Sequence, residues 1–185
     1  MEEKNTNVPV LALRGLTIFP NMLMHFDVER DISVTALENN QDILLVAQRE
    51  IATEEPGQKD LYSVGTVSHN RQILRVSEGN IRVMIEGKSR ARLKALLQTE
   101  PYLMGEVELL QEQEPAAQDT LMVEALLRQC YSAFGEYHEA MPRMSADVLT
   151  TVLSSRDPGY LADYIAQNIN LRHQDKQAIL EELQP

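Results

Sequence analysis

The 185-residue chain has one cysteine, no tryptophan and three phenylalanines. A lone cysteine excludes an internal disulfide framework and fits a reducing compartment. Long apolar runs are missing as well. The longest, Ile43-Leu44-Leu45-Val46-Ala47, falls far short of the ~20 residues a helical membrane span requires. The opening Met1-Glu2-Glu3-Lys4-Asn5-Thr6-Asn7 is polar and acidic with no apolar h-region, so no secretion signal is read there. Cations are scarce: 17 Lys plus Arg stand against 28 Asp plus Glu, a net charge of −11. That balance favours solubility and argues against a dedicated polyanion binder. A cytoplasmic protein with no membrane partner is the expectation.

What is present falls into two patterns. Residues 8–110 read as short strands, opening with Val8-Pro9-Val10-Leu11-Ala12-Leu13, whose proline suits an edge or first position. Ile43 to Ala47 is apolar on both faces, as a fully buried strand is. Ser77-Glu78-Gly79-Asn80 reads as the turn of a hairpin between 64–76 and 81–86. In the second arm Ile81, Val83 and Ile85 share one face. One helix is predicted around Glu29 to Asn40, with Ile32 and Ala36 four residues apart and Leu37 beside them. Five or six strands and one helix predict a small, closed or strongly curved sheet. A polar stretch with a proline, 111–118, then separates this part from a helical one, 119–185, with residues 1–7 a disordered tail. Beyond the break, Val123, Leu127, Cys130 and Phe134 form one helical stripe, which places Cys130 in a core. Ser145 and Asp157-Pro158 are start signals for two further helices. A fourth begins near His173, and Pro185 so soon after its apolar stripe reads as a cut at a domain boundary.

Catalytic patterns are absent. His25, His69, His138 and His173 are too far apart for local metal-ligand spacing and read as surface or loop residues. Gly87-Lys88-Ser89 mimics the tail of a phosphate loop. Arg82 stands where the loop needs glycine, and Val83-Met84-Ile85-Glu86 is a strand pattern. Seven of the 17 cations fall between Arg71 and Lys94. Of these Lys88, Arg90, Arg92 and Lys94 alternate along one strand face, a possible polyanion track. No aromatic lies between Tyr62 and Tyr102 to stack on bases, so a solvated face paired with carboxylates is the preferred reading. Ile18-Phe19-Pro20-Asn21-Met22-Leu23-Met24-His25-Phe26 is strongly apolar around a turn. It reads either as a plug of the sheet or as an exposed, adaptable methionine-rich tip.

Together these segments resemble the N-terminal domain of the Lon protease family. The likeness is carried by Val8 to Met22, by Ile43-Leu44-Leu45-Val46-Ala47-Gln48-Arg49, and by Leu61-Tyr62-Ser63-Val64-Gly65-Thr66-Val67. Glu86-Gly87-Lys88-Ser89-Arg90-Ala91-Arg92-Leu93 and Asp157-Pro158-Gly159-Tyr160-Leu161-Ala162-Asp163-Tyr164-Ile165-Ala166 follow in family order. The resemblance implies an α+β chain: a PUA-like β-rich pseudo-barrel followed by an α-helical bundle. It implies a substrate-recognition domain that supports a hexameric, ATP-dependent serine protease degrading misfolded and short-lived regulatory proteins. ATP and Mg would belong to an ATPase module outside this chain, and no cofactor to the chain itself. Neither a Walker A loop nor a Ser–Lys site is matched here, so the chain is expected to be no enzyme alone. Phe19, Met22, Leu23 and Met24 are the candidate contacts for unfolded or damaged polypeptides. The rival readings are a nucleic-acid module using the Lys88, Arg90, Arg92, Lys94 face, and a stand-alone Lon-type domain.

Overall fold

In a computed structural model, residues 5–77, 79–113, 115 and 119–184 are described. Six strands form one sheet: β1 (Asn5–Leu13), β2 (Leu23–Val28), β3 (Asp42–Ala47), β4 (Val64–Ser77), β5 (Asn80–Gln98) and β6 (Met104–Leu109). Helix α1 (Asp31–Asn39) lies between β2 and β3. After β6 come α2 (Thr120–Ala140), α3 (Ala146–Ser154), α4 (Pro158–Asn168) and α5 (His173–Glu181). The strand order is β2-β5-β4-β3-β1-β6, and β5 also pairs with β6, so five strands close into a ring from which β2 projects. The α+β expectation, a closed sheet followed by helices, is what the chain forms.

β3 is the strand read as buried on both faces, and it pairs parallel with β1 and antiparallel with β4. Its Ile43 and Leu45 enter one core, with Leu11, Leu13 and Val83; its Leu44 and Val46 enter a second, with Val10, Ala91 and Val107. β5 serves both cores by a different device. Val67 pairs with Ser89 and Ser68 with Gly87, leaving Lys88 as an extra residue in the ladder. Such a bulge reverses the alternation of side chains. Ile81, Val83 and Ile85 therefore fill the first core, and Ala91 and Leu93 the second, although all are odd-numbered.

One boundary and one burial differ from the sequence reading. β1 starts at Asn5 rather than Val8, because Asn5, Thr6 and Asn7 pair with Glu108, Val107 and Glu106 of β6. Backbone pairing needs no apolar side chain there; residues 1–4 lie outside the described set. The 111–118 stretch is held at its start, where the amide of Gln113 bonds to the carbonyl of Leu183; 114 and 116–118 lie outside the described residues. Cys130 is exposed, because the third core covers α2 along Leu127, Tyr131 and Phe134, and Cys130 falls at the margin of that face. The caps at Ser145 and Asp157 are as expected, accepting from the amides of Asp147 and Tyr160. Phe134, Val152 and Leu161 make a third core among α2, α3 and α4. The helices do not stand apart from the sheet, since Ala166 and Leu180 complete its first core.

Gly87 shows why the apparent phosphate loop is none. Its amide donates to Met22 O and its carbonyl accepts from Asn21 N, so the backbone is already committed. A Cβ at this position would lie 2.2 Å from the carbonyl oxygen of Phe19. Asn21 has φ of 61°, the left-handed turn that Pro20-Asn21 signals. Replacing Gly87 with Ala should force these strands apart and lower stability by about 1–3 kcal/mol in a urea titration; an unchanged midpoint would contradict the packing described.

Candidate functional site

Half of β4, the first half of β5, and β2 form a three-stranded wing. Its inner face carries Ile81, Val83 and Ile85 into the first core, beneath α1. Before the bulge, even-numbered residues of β5 face outward. Register sets Leu23, Glu86 and His69 in one row, His25, Met84 and Gln72 in the next, and Asp27, Arg82 and Leu74 in the third. Leu23, Met84 and Leu74 thus make an apolar diagonal across three hydrogen-bonded strands. Leu23 is 55% and Leu74 51% exposed. Arg82 clamps Asp27 at 2.7 and 2.9 Å on one side, and Lys88 and Arg71 both hold Glu86 on the other. Hydrogen bonds from these cations keep the carboxyls of Asp27 and Glu86 below the usual carboxylate range.

Of the four apolar candidates, the structure leaves one fully at the surface. Phe19 is wholly buried and Met22 is 4% exposed, both in the first core, because the Pro20-Asn21 turn folds them under the Gly87 crossing. They are core residues and not surface contacts. Met24 is half-buried against the same core, opposite Ile85, and Leu23 alone points outward. Leu74 and Val76 were not singled out from sequence. Their signal lay in the stretch Ile73-Leu74-Arg75-Val76, whose apolar positions do not alternate cleanly and so exceed what one buried face can take.

The proposed cation track is broken by the bulge. Lys88 lies on the outer face with Glu86 at 2.8 Å. Arg92 and Lys94 share Glu108, at 3.3 and 2.6 Å, which lowers the Glu108 carboxyl pKa. Arg90 is turned inward, only 4% exposed. Its guanidinium donates to the carbonyl of Leu180 on α5 at 3.0 Å, to Asp163 on α4 at 2.6 Å, and to Glu112. Four cations on one accessible face do not exist here, and each has a carboxylate partner.

The histidines do not converge, and no group of acidic, cysteine or histidine side chains suited to a metal occurs among the described residues. His173 has a structural part that the sequence did not reveal. Its ring lies within 3.3 Å of both Thr17 Oγ1 and the Gln48 carbonyl, edge-on to Tyr62, and so docks the start of α5 on the sheet. A second exposed apolar group, Leu121, Met122 and Leu126, lies on the first turns of α2, away from the face on which Leu127 and Phe134 pack.

A family model described as the ATP-dependent protease La (LON) substrate-binding domain matches residues 7–185. The chain is 39% identical over 178 residues to Lon protease of Brevibacillus choshinensis, covering 94% of this chain and 22% of that protein. It is 36% identical over 184 residues to Lon protease 1 of Bacillus subtilis, covering 97% and 23%. The chain therefore spans less than a quarter of the length of these curated relatives. Among solved structures, the N-terminal domain of Mycobacterium avium complex Lon protease aligns with a TM-score of 0.73 at 20% identity, over 95% of this chain and 90% of that one. A Lon N-terminal domain protein from Xanthomonas campestris gives 0.60 at 14%, over 97% and 92%. At those identities the likeness is one of fold.

Burial pushes the Asp163 carboxyl up from 3.8 to about 6, outweighing the pull of Arg90, with Glu112 and Asp157 adding to the rise. The folded chain thus binds this proton more readily than the unfolded chain. Its contribution to stability is complete below 3.8 and is lost as pH rises through about 6. Between pH 5 and 7 the wild type should lose about 1 kcal/mol relative to Asp163→Asn in paired urea titrations. A relative gain over the same interval would contradict the assignment.

Proposed function

Because the chain belongs to the Lon substrate-binding domain family, we propose that it receives unfolded or damaged polypeptides on the outer face of the wing. The observation that supports this reading is the apolar diagonal of exposed Leu23 and Leu74 with half-buried Met84 between them on one sheet face. Unfolded chains differ from folded ones chiefly in the apolar side chains and free backbone they show. A face that meets a few such side chains, framed by ion pairs that already satisfy each other, holds them weakly and releases them. That suits a step whose product must be passed on. Methionine at the centre adapts to different partners.

In this reading the chain works as part of a longer, hexameric, ATP-dependent serine protease of the cytoplasm. ATP and Mg would be held outside this chain, which contributes capture and no chemistry. The relatives' names and the fraction of their length that this chain spans support that view. Nucleic acid is the weaker alternative, since Lys88, Arg90, Arg92 and Lys94 are all paired with carboxylates.

The wing and the core respond differently to substitution. Leu23→Ser with Leu74→Ser should weaken binding of a reduced, carboxymethylated and permanently unfolded protein by about tenfold. Stability should stay within about 1 kcal/mol, since both residues are exposed. Met22→Ser should do the reverse, costing about 2–4 kcal/mol of stability with little direct effect on binding. Unaltered binding by the double variant would remove the wing from the interaction.

A further inference from the structure

One edge of the wing is open. β3 accompanies β4 as far as His69, and the Asn70 amide then bonds to the carbonyl of Gln41. From residue 71 to 77, β4 pairs with β5 alone. In an antiparallel ladder alternate residues turn both amide and carbonyl to the same side. Within its regular part, every second residue therefore directs an amide and a carbonyl outward, where among the described residues no strand lies to receive them. The register is regular from 72 to 75, between irregularities at either end. Leu74 and Val76 stand on this edge half exposed.

We propose that the open edge of β4 takes an extended segment of an unfolded polypeptide as an added strand. The inference rests on the reading of the chain as a substrate-binding domain and adds how the substrate is held. Main-chain hydrogen bonds do not depend on sequence, so strand addition suits a domain that accepts many polypeptides. Leu74, which ends the apolar diagonal, then meets a side chain of the incoming strand across the new ladder. Where the open edge begins, Asn70 lines a groove of about 420 Å³ together with Gln41, Arg71 and Gln72.

Charge selects the occupant. Residues 71–77 carry Arg71 and Arg75 and no anion. Two copies laid edge to edge would bring four guanidinium groups together, between chains of net charge −11 each. An apolar segment with acidic residues meets both requirements. Among the described residues Arg75 is paired with Glu38, at 2.6 Å on an open surface, and such pairs exchange partners at little cost.

The test uses the whole chain and a fluorescent decapeptide of alternating valine and glutamate. Two derivatives carry N-methyl groups on the odd or on the even amides. One derivative should bind about tenfold more weakly than the parent peptide, and the other within about twofold, because only one set of amides faces the ladder. Amide exchange at residues 71–77 should slow when the parent peptide is added. Equal effects of the two derivatives, or slowing only elsewhere, would overturn strand addition and leave polypeptide binding standing. Failure to bind the peptide while the unfolded protein still binds would overturn it too. Failure to bind either would remove the substrate-binding reading with it. Slowing at 71–77 that follows protein concentration without peptide would assign the edge to a second copy and overturn the proposal.

Discussion

The structure turns on the guanidinium of Arg90. A planar fork of donors, buried on β5, reaches the Leu180 carbonyl of α5, Asp163 of α4 and Glu112 beyond β6. Charges so deeply buried are costly to desolvate, and the attraction between them repays that cost only with near-ideal geometry and every donor in use. Arg90 offsets that cost by donating from Nε, Nη1 and Nη2 to three separated parts of the chain at once. The price of failure is high, because either partner left alone would be a buried, unpaired charge. The arrangement therefore specifies one way of seating the helices on the sheet. His173 against Gln48 and Thr17, and Gln177 donating to the Val64 carbonyl, secure the same docking from the start and middle of α5.

Arg90 can point inward only because Lys88 is an extra residue in the ladder. Without the bulge, Arg90 would fall on the outer face with Arg82 and Glu86. With it, β5 supplies a dry inner face to two cores and leaves an outer face on the wing. Seating the helices on one side of the sheet and presenting Leu23, Met84 and Leu74 on the other are thus two results of the same strand. The outer face is rigid because its inner side is fully packed, so apolar contacts made there need order little of the domain itself.

Much of this was legible in the sequence. The buried strand at Ile43 to Ala47, the turn at Pro20-Asn21, the caps at Ser145 and Asp157 and the family resemblance all rest on local chemistry that survives folding. The failures have a common physical source. A period-2 pattern assumes an unbroken ladder, so it put Lys88, Arg90, Arg92 and Lys94 on one face; one bulge undid that. Hydrophobicity alone does not say which side of a turn is covered, and Phe19 and Met22 went under the Gly87 crossing while Leu23 did not. Cys130 sits on a correct helical stripe, but a stripe is buried only where another element reaches it. Leu74 and Val76 became visible as candidates only when strand order showed β4 to be unaccompanied past Asn70.

The central claim is that polypeptides are held on the wing. Photo-crosslinking tests it most directly, with a benzophenone side chain placed at Leu74 in one protein and at Met122, in the exposed apolar group of α2, in another. On irradiation with a permanently unfolded protein, the account predicts strong crosslinking from position 74 and little from 122. Strong crosslinking from 122 with none from 74 would contradict it and move the binding surface to the helices.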